Sequence, residues 1–275
     1  MNKNQVLKQR SVTGLFFIFG VISLLLTGKM GAMTLAVFIA GFSTYEYIRM
    51  IFPKNKKKLI STVVLVGFVI VNLTNPNPES STFLFLSIIS SFLLVCGIIN
   101  LFTPFINHKK FYWLVAILYF GFPLGLFISY IHQTDHYNPI FWLSVISMIW
   151  MADSFAYLIG STFGKRKLLE KISPKKTWEG FLGAGLTTVL IAYIYGKYFY
   201  NEVSHTAITY PYFWVIIALI AWIIGTLGDL VESSVKRNFN FKDSGKLFPG
   251  HGGVLDRFDS FIYILPFVLL LLLII

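Results

Sequence analysis

The sequence holds one cysteine, Cys96, set inside the apolar run SFLLVCGIIN. A single thiol excludes an internal disulfide framework and a cysteine-based metal site, and Cys96 reads as a small buried hydrophobe. Charge is scarce too, at 13% of 275 residues against 56% hydrophobic residues and a mean hydropathy of +0.71. That leaves too little polar surface to cover a water-soluble core, so the bilayer is the expected solvent. No nucleic-acid recognition module accompanies the net charge of +11, which points instead to anionic lipid headgroups. No internal repeat with paired broken helices is evident, which argues against an ion-coupled transporter. No small-x-small cleavage site follows the first apolar run, SVTGLFFIFGVISLLLTG, so that run is expected to remain as a helix.

Long apolar runs are abundant. Crossing about 30 Å of hydrocarbon takes roughly 20 residues, and such runs recur along the whole chain. Spans are predicted over residues 11–28, 32–51, 59–75, 81–102, 112–132, 140–160, 180–200, 212–231 and 253–275. The expected fold is all-α and polytopic, with about nine transmembrane helices packed as one membrane domain. Residues 1–138 would form a scaffold, with possible lipid or dimer contacts, and residues 139–275 a catalytic region. With these spans, 21 of the 23 lysines and arginines fall on one side, and only Lys29 and Lys197 on the other. Basic loops mark the cytoplasm, so the N-terminus is expected inside and the C-terminus outside. Trp142 and Trp214, at span ends, are expected as interfacial anchors.

The twelve acidic residues follow a different pattern. The first 150 positions hold only Glu46, Glu79 and Asp135, so functional chemistry is expected in the C-terminal half. There, Asp153 is placed about two turns before the cytoplasmic end of its helix. Asp229 falls in the last turns of the next descending helix, with Glu232 three residues on, and LDRFD puts Asp256 and Asp259 in the first turn of the final helix. A spacing of i, i+3 places both carboxylates on nearly one face. Helix capping alone could account for Asp256. It cannot account for Asp229, because a negative charge is disfavoured near a helix C-terminus, so a cation is expected beside it. Ionisable groups within spans mark a site facing the bundle interior.

Hard oxygen donors with few histidines favour Mg²⁺ over zinc. Around the acids lie ISPKKTWEG and SSVKRNFNFKDSGKLFPGHGG, followed by Arg257. Carboxylates holding a divalent ion within a ring of lysine and arginine suit a polyanion such as a nucleoside triphosphate. Gly250, Gly252 and Gly253 let backbone amides approach phosphate just before a helix N-terminus.

The run S-V-K-R-x4-K-D-S-G-x2-F-P-G-H-G-G-V-x-D-R-F-D, residues 234–259, resembles the characteristic stretch of the phosphatidate cytidylyltransferases, also called CDP-diacylglycerol synthases. ADSFAYLIGSTFGKRKL, SPKKTWEG and GDLVESSVKR are similar to that family as well, so the motif-level resemblance covers roughly residues 151–260. The resemblance implies an integral membrane enzyme of the bacterial inner membrane with a cytoplasmic site. It would join phosphatidic acid to CTP, releasing pyrophosphate and CDP-diacylglycerol. It implies Mg²⁺, with K⁺ at the metal centre, and a homodimer.

By motif position, the resemblance makes Asp229 and Asp256 the principal metal ligands, with Asp153, Asp259 and Glu232 in supporting roles. A phosphate monoester is already ionised near neutral pH, so His251 is expected to bind phosphate or position ligands rather than abstract a proton. Lys175, Lys176, Lys236, Arg237, Lys242 and Arg257 are candidates for triphosphate or lipid-phosphate contacts, the alternative for each being a headgroup-facing cation. Ser173, Thr177 and Trp178 are expected to shape the substrate pocket.

Overall fold

The computed structural model describes residues 3–74, 80–102, 109–133, 137–198, 211–250 and 252–274. His251 and Glu202 lie outside the described residues. The chain runs through α1 (Lys3–Leu26), α2 (Lys29–Ile51), α3 (Lys56–Leu73), α4 (Ser81–Phe102) and α5 (Lys109–Ala116). A π turn, Ile117–Gly121, joins α5 to α6 (Phe122–Gln133), and α7 (Pro139–Phe163) follows. Then come β1 (Lys167–Leu169), β2 (Ser173–Thr177), α8 (Trp178–Tyr198) and α9 (Pro211–Leu219). A second π turn, Ile220–Ile224, leads into α10 (Gly225–Asn238), and α11 (Leu255–Ile274) closes the order.

Among the described residues, six helical stretches are long and apolar enough to cross a membrane: Ser81–Phe102, Tyr112–Gln133, Pro139–Phe163, Trp178–Tyr198, Tyr212–Asn238 and Leu255–Ile274. The chain is thus an all-α integral membrane protein, with one small hairpin as the departure. Helices α2 and α3 fall outside that set because Glu46 and Arg49 interrupt the first and three lysines open the second. Large apolar side chains point outward around the bundle, among them Phe19, Phe68, Phe92 and Leu186. Such a surface is unfavourable in water and natural in lipid.

Local sequence explains the boundaries that matter. Asn138 caps α7, accepting N–H bonds from Ile140 (2.9 Å) and Phe141 (3.1 Å), with Pro139 at the first helical position. The first π turn ends just before Pro123, whose missing N–H cannot continue the α ladder. Helix α8 buries a stripe of small residues four apart, Gly180, Ala184, Thr188, Ala192 and Gly196. That stripe lets α8 approach its neighbours closely, as small residues do between membrane helices. A Cβ at Gly180 would lie 2.5 Å from the Ala156 carbonyl of α7. Helix α11 is buried along most of its length, from Leu255 to Leu269.

Three expectations shift. Trp142 and Trp214 are 1% and 0% exposed, packed among Phe127, Phe141 and Tyr195 inside the bundle, so neither is an interfacial anchor. Helix α10 continues past residue 231 to Asn238, and its tail buries Glu232, Ser233, Val235 and Lys236, the two charges paired one turn apart. Residues 167–177 form an antiparallel hairpin, with Lys167 opposite Thr177.

Candidate active site

The site forms where α7, the hairpin, α10 and the start of α11 meet. The second π turn sets the approach of α10. Within it the Trp222 indole N–H donates to the Phe181 carbonyl (2.7 Å), while the Ser260 hydroxyl donates to the Gly225 carbonyl (2.9 Å). Gly228 lies against the Tyr263 ring, where an added Cβ would fall 2.6 Å away. This close seating of α10 on α11 turns Asp229 and Glu232 toward Asp259. Carboxylate oxygens of all three lie within 4.8 Å of one another. Glu232 and Asp259 are buried, and Asp229 is half-buried.

Like charges so close require compensation. Lys176, from β2, pairs with Asp229 at 2.6 Å. Lys236, one turn beyond Glu232 on α10, pairs with Glu232 and also with Asp256 at 2.7 Å. Ser233 donates to Asp229 (3.2 Å), and the Ser260 N–H donates to Asp259 (2.7 Å). Burial alone would lower the Lys176 pKa, but the Asp229 and Asp153 carboxylates outweigh it and hold the ammonium above its usual value. Lys176 therefore stays charged at neutral pH.

Asp256 lies in the first turn of α11. Its carboxylate accepts from the Ser244 N–H (2.9 Å), the Ser244 hydroxyl (2.9 Å) and the Gly253 N–H (2.7 Å), besides Lys236. The loop that brings Ser244 there turns back through Gly250 and Gly252, both with positive φ (80° and 86°), conformations that suit glycine. The Gly253 amide, expected from sequence to face a phosphate, is spent on Asp256. Arg257 is exposed toward the cavity mouth.

Two cavities of about 270 Å³ each share Asp153 as a common wall. The first adds Phe17 and Ile18 of α1, Trp150, Phe248, Asp256, Arg257 and Asp259. The second adds Tyr157, Ser173, Lys175, Lys176, Thr177 and Asp229. Asp153 thus touches both, about three turns before the end of α7 rather than two, because the helix runs on to Phe163.

Other sequence candidates are placed apart. Lys242 lines a separate cavity of about 750 Å³ with Arg49, Tyr45 and Lys246. Arg237 donates to the backbone carbonyls of Ile172 (3.3 Å) and Phe241 (3.1 Å), tying α10 to the hairpin. Trp178 is half-exposed at the start of α8, with its ring edge against Phe181.

Two residues escaped the sequence reasoning. Glu179 accepts from the N–H groups of Lys165 (3.0 Å) and Arg166 (3.2 Å), fixing the chain that enters the hairpin. Glu46, only 4% exposed on α2, accepts from the Val254 N–H (3.1 Å) and the Leu255 N–H (2.9 Å), and shares the single Ser244 hydroxyl proton (3.0 Å) with Asp256 (2.9 Å). Its signal was a lone carboxylate in an apolar helix, outweighed by the concentration of acids in the other half.

A helical membrane bundle that closes carboxylates and ammonium groups around the junction of two cavities is built as a membrane-embedded enzyme rather than a passive scaffold. The chain belongs to the cytidylyltransferase family, whose model matches residues 8–275, and it is a nucleotidyltransferase. It is 33% identical to the phosphatidate cytidylyltransferase of Bacillus subtilis over 273 residues, 97% of each chain. It is 33% identical to the Staphylococcus aureus protein of that name, covering 97% of this chain and 99% of the relative. The corresponding Staphylococcus haemolyticus protein is 32% identical over 275 residues.

Proposed function

We propose that the chain joins CTP to phosphatidic acid, releasing pyrophosphate and forming CDP-diacylglycerol for phospholipid biosynthesis. Full-length similarity to relatives of that name supports the reaction, and one observation carries the reading of the site. Two cavities of different lining converge on Asp153 beside a cluster of carboxylates. The first, walled by Phe17, Ile18 and Trp150 with Arg257 at its polar end, suits a lipid phosphate with its apolar tail. The second, with Lys175, Lys176, Ser173 and Thr177, suits the triphosphate, and Tyr157 offers a ring to the base.

The donor set fits a hard divalent cation such as Mg²⁺. Asp229, Glu232 and Asp259 offer only oxygen, and Glu232 has no hydrogen-bond donor other than Lys236 among the described residues. Asp229 with Asp259 and Glu232 would hold it, and Asp256 would join them by giving up Lys236. K⁺ would share the same oxygen-rich centre. The ion, when bound, would neutralise charge on the α-phosphate and the leaving pyrophosphate. The chain's own residues do the rest. Lys175 and Lys176 bind and orient the triphosphate, and Arg257 holds the lipid phosphate for in-line attack of its oxygen on the α-phosphorus. Attack needs no strong base, and Asp153 separates the two substrates until their phosphates meet.

The segregation of basic residues supports about nine spans, with the N-terminus and the site facing the cytoplasm and the C-terminus outside. The bacterial relatives support the cytoplasmic membrane as the location, and a homodimer is part of the same reading. Purified protein is incubated with labelled CTP, phosphatidic acid and Mg²⁺, and labelled CDP-diacylglycerol is the expected product. No product across several detergents and lipid compositions would sink this assignment.

A further inference from the structure

Besides the α1 residues that line the first cavity, the N-terminal region reaches the start of α11 through Glu46 of α2. This carboxylate receives the first free N–H groups of α11, those of Val254 and Leu255, and the Ser244 hydroxyl. The same hydroxyl reaches Asp256 (2.9 Å), whose other oxygen is held by Lys236. Glu46 is thus two contacts from Asp256, through a residue whose N–H also bonds Asp256. The loop packs closely on this carboxylate, although Glu46 and Ser244 also line the cavity of about 750 Å³. A Cβ on Gly245 or Gly253 would strike the Glu46 carboxylate, so glycine on both sides lets the loop close around it.

A carboxylate buried at 4% exposure is costly unless paired and hydrogen-bonded. No lysine or arginine pairs with Glu46 among the described residues. Its compensation is the N-terminus of α11, where the helix dipole and free amides favour an anion. An apolar residue here would leave two buried amides unpaired. Glutamine would offer one acceptor and turn an NH₂ against a donor. The arrangement needs an anion, and what it fixes is the starting angle of the helix that carries Asp256, Arg257 and Asp259.

We infer that Glu46 is a positioning residue for the transfer reaction, setting Asp256 through Ser244 and the N-terminus of α11. The inference rests on the reading of Asp256 as part of the reaction centre, and no part of Glu46 need touch substrate.

The test compares Glu46→Gln, Glu46→Asp, Ser244→Ala and the Glu46→Gln/Ser244→Ala double variant in the CDP-diacylglycerol assay, with melting followed on the same samples. Misplacing a reacting group by about 1 Å costs roughly 100-fold, so Glu46→Gln is expected to lower kcat by about 10- to 100-fold. KM for CTP and for phosphatidic acid should stay near the parent values. Glu46→Asp, which keeps the charge, should regain part of kcat, and the double variant should fall no further than the worse single. If Glu46→Gln does not fold, Ser244→Ala decides, because it keeps the amide cap on α11 and the Ser244 N–H on Asp256 and removes only the hydroxyl shared by Glu46 and Asp256. Unchanged kcat in whichever variant decides, or losses that multiply in the double variant, would overturn the inference. Asp256→Asn is run in parallel. If it keeps full turnover, the reading of the reaction centre fails and this inference with it; if only it loses turnover, this inference alone fails.

Discussion

Lys236 is the residue whose removal the structure makes most informative. Its ammonium lies between Glu232 and Asp256, and the three side chains are 9%, 1% and 8% exposed. Lys236→Met keeps the apolar stem and its packing while removing the charge. Asp256 retains three donors, the Ser244 N–H, the Ser244 hydroxyl and the Gly253 N–H. Glu232 retains none among the described residues, and it faces Asp229 and Asp259. Removing one partner of a buried ion pair costs about 3–5 kcal/mol, and here nearly all of it should fall on Glu232. At roughly 2–4 °C per kcal/mol, the melting temperature of detergent-solubilised protein should drop by roughly 6–20 °C. Adding Glu232→Gln to Lys236→Met should recover at least half of that loss, because the uncompensated charge disappears with it. Adding Asp256→Asn instead should recover little. Thermal unfolding of the four proteins in one detergent reads both effects. A loss under about 1 kcal/mol, the size expected of an exposed pair, would refute the buried-pair reasoning, as would equal recovery from either second substitution.

Three other perturbations are as direct. Chelation by EDTA should abolish CDP-diacylglycerol formation and added Mg²⁺ should restore it, whereas Asp229→Asn and Asp259→Asn should stay inactive at saturating Mg²⁺. Gly180→Ala puts a methyl 2.5 Å from the Ala156 carbonyl, so melting should show a loss of about 1–3 kcal/mol from overpacking between α7 and α8. Lys175→Ala should raise KM for CTP and leave that for phosphatidic acid unchanged, while Phe17→Ala should do the reverse, and steady-state kinetics with each substrate varied would expose any other division of the cavities.

The helical bundle was legible because lipid demands long apolar runs, and such runs survive any detail of packing. The gathering of Asp229, Glu232 and Asp259 was partly legible as well. An i, i+3 spacing faces two acids the same way, and a carboxylate near a helix C-terminus signals a partner. What could not be read was set by contacts between distant segments. Lys242 and Lys176 look alike in sequence, yet one lines a cavity beside Arg49 and the other pairs with Asp229. Trp142 and Trp214 have the composition of interfacial anchors, but neighbouring helices cover them. The hairpin is too short and too charged to give a period-two pattern. Glu46 stood out as a lone acid but received no role, because its partners lie about two hundred residues away.

That separation bears on how the protein is made. Glu46 is made with the second helix, and the amides that satisfy it arrive 208 and 209 residues later. Until then its carboxylate lacks the two amides that satisfy it, a condition that favours local unfolding and protease access. A nascent chain released before α11 would therefore carry a built-in mark of incompleteness. In pulse-chase experiments a chain ending at residue 250 should be degraded faster than full-length protein, and Glu46→Leu should lengthen the fragment's life while shortening that of the whole. Equal lifetimes for the two fragments would show that membrane quality control does not read this residue.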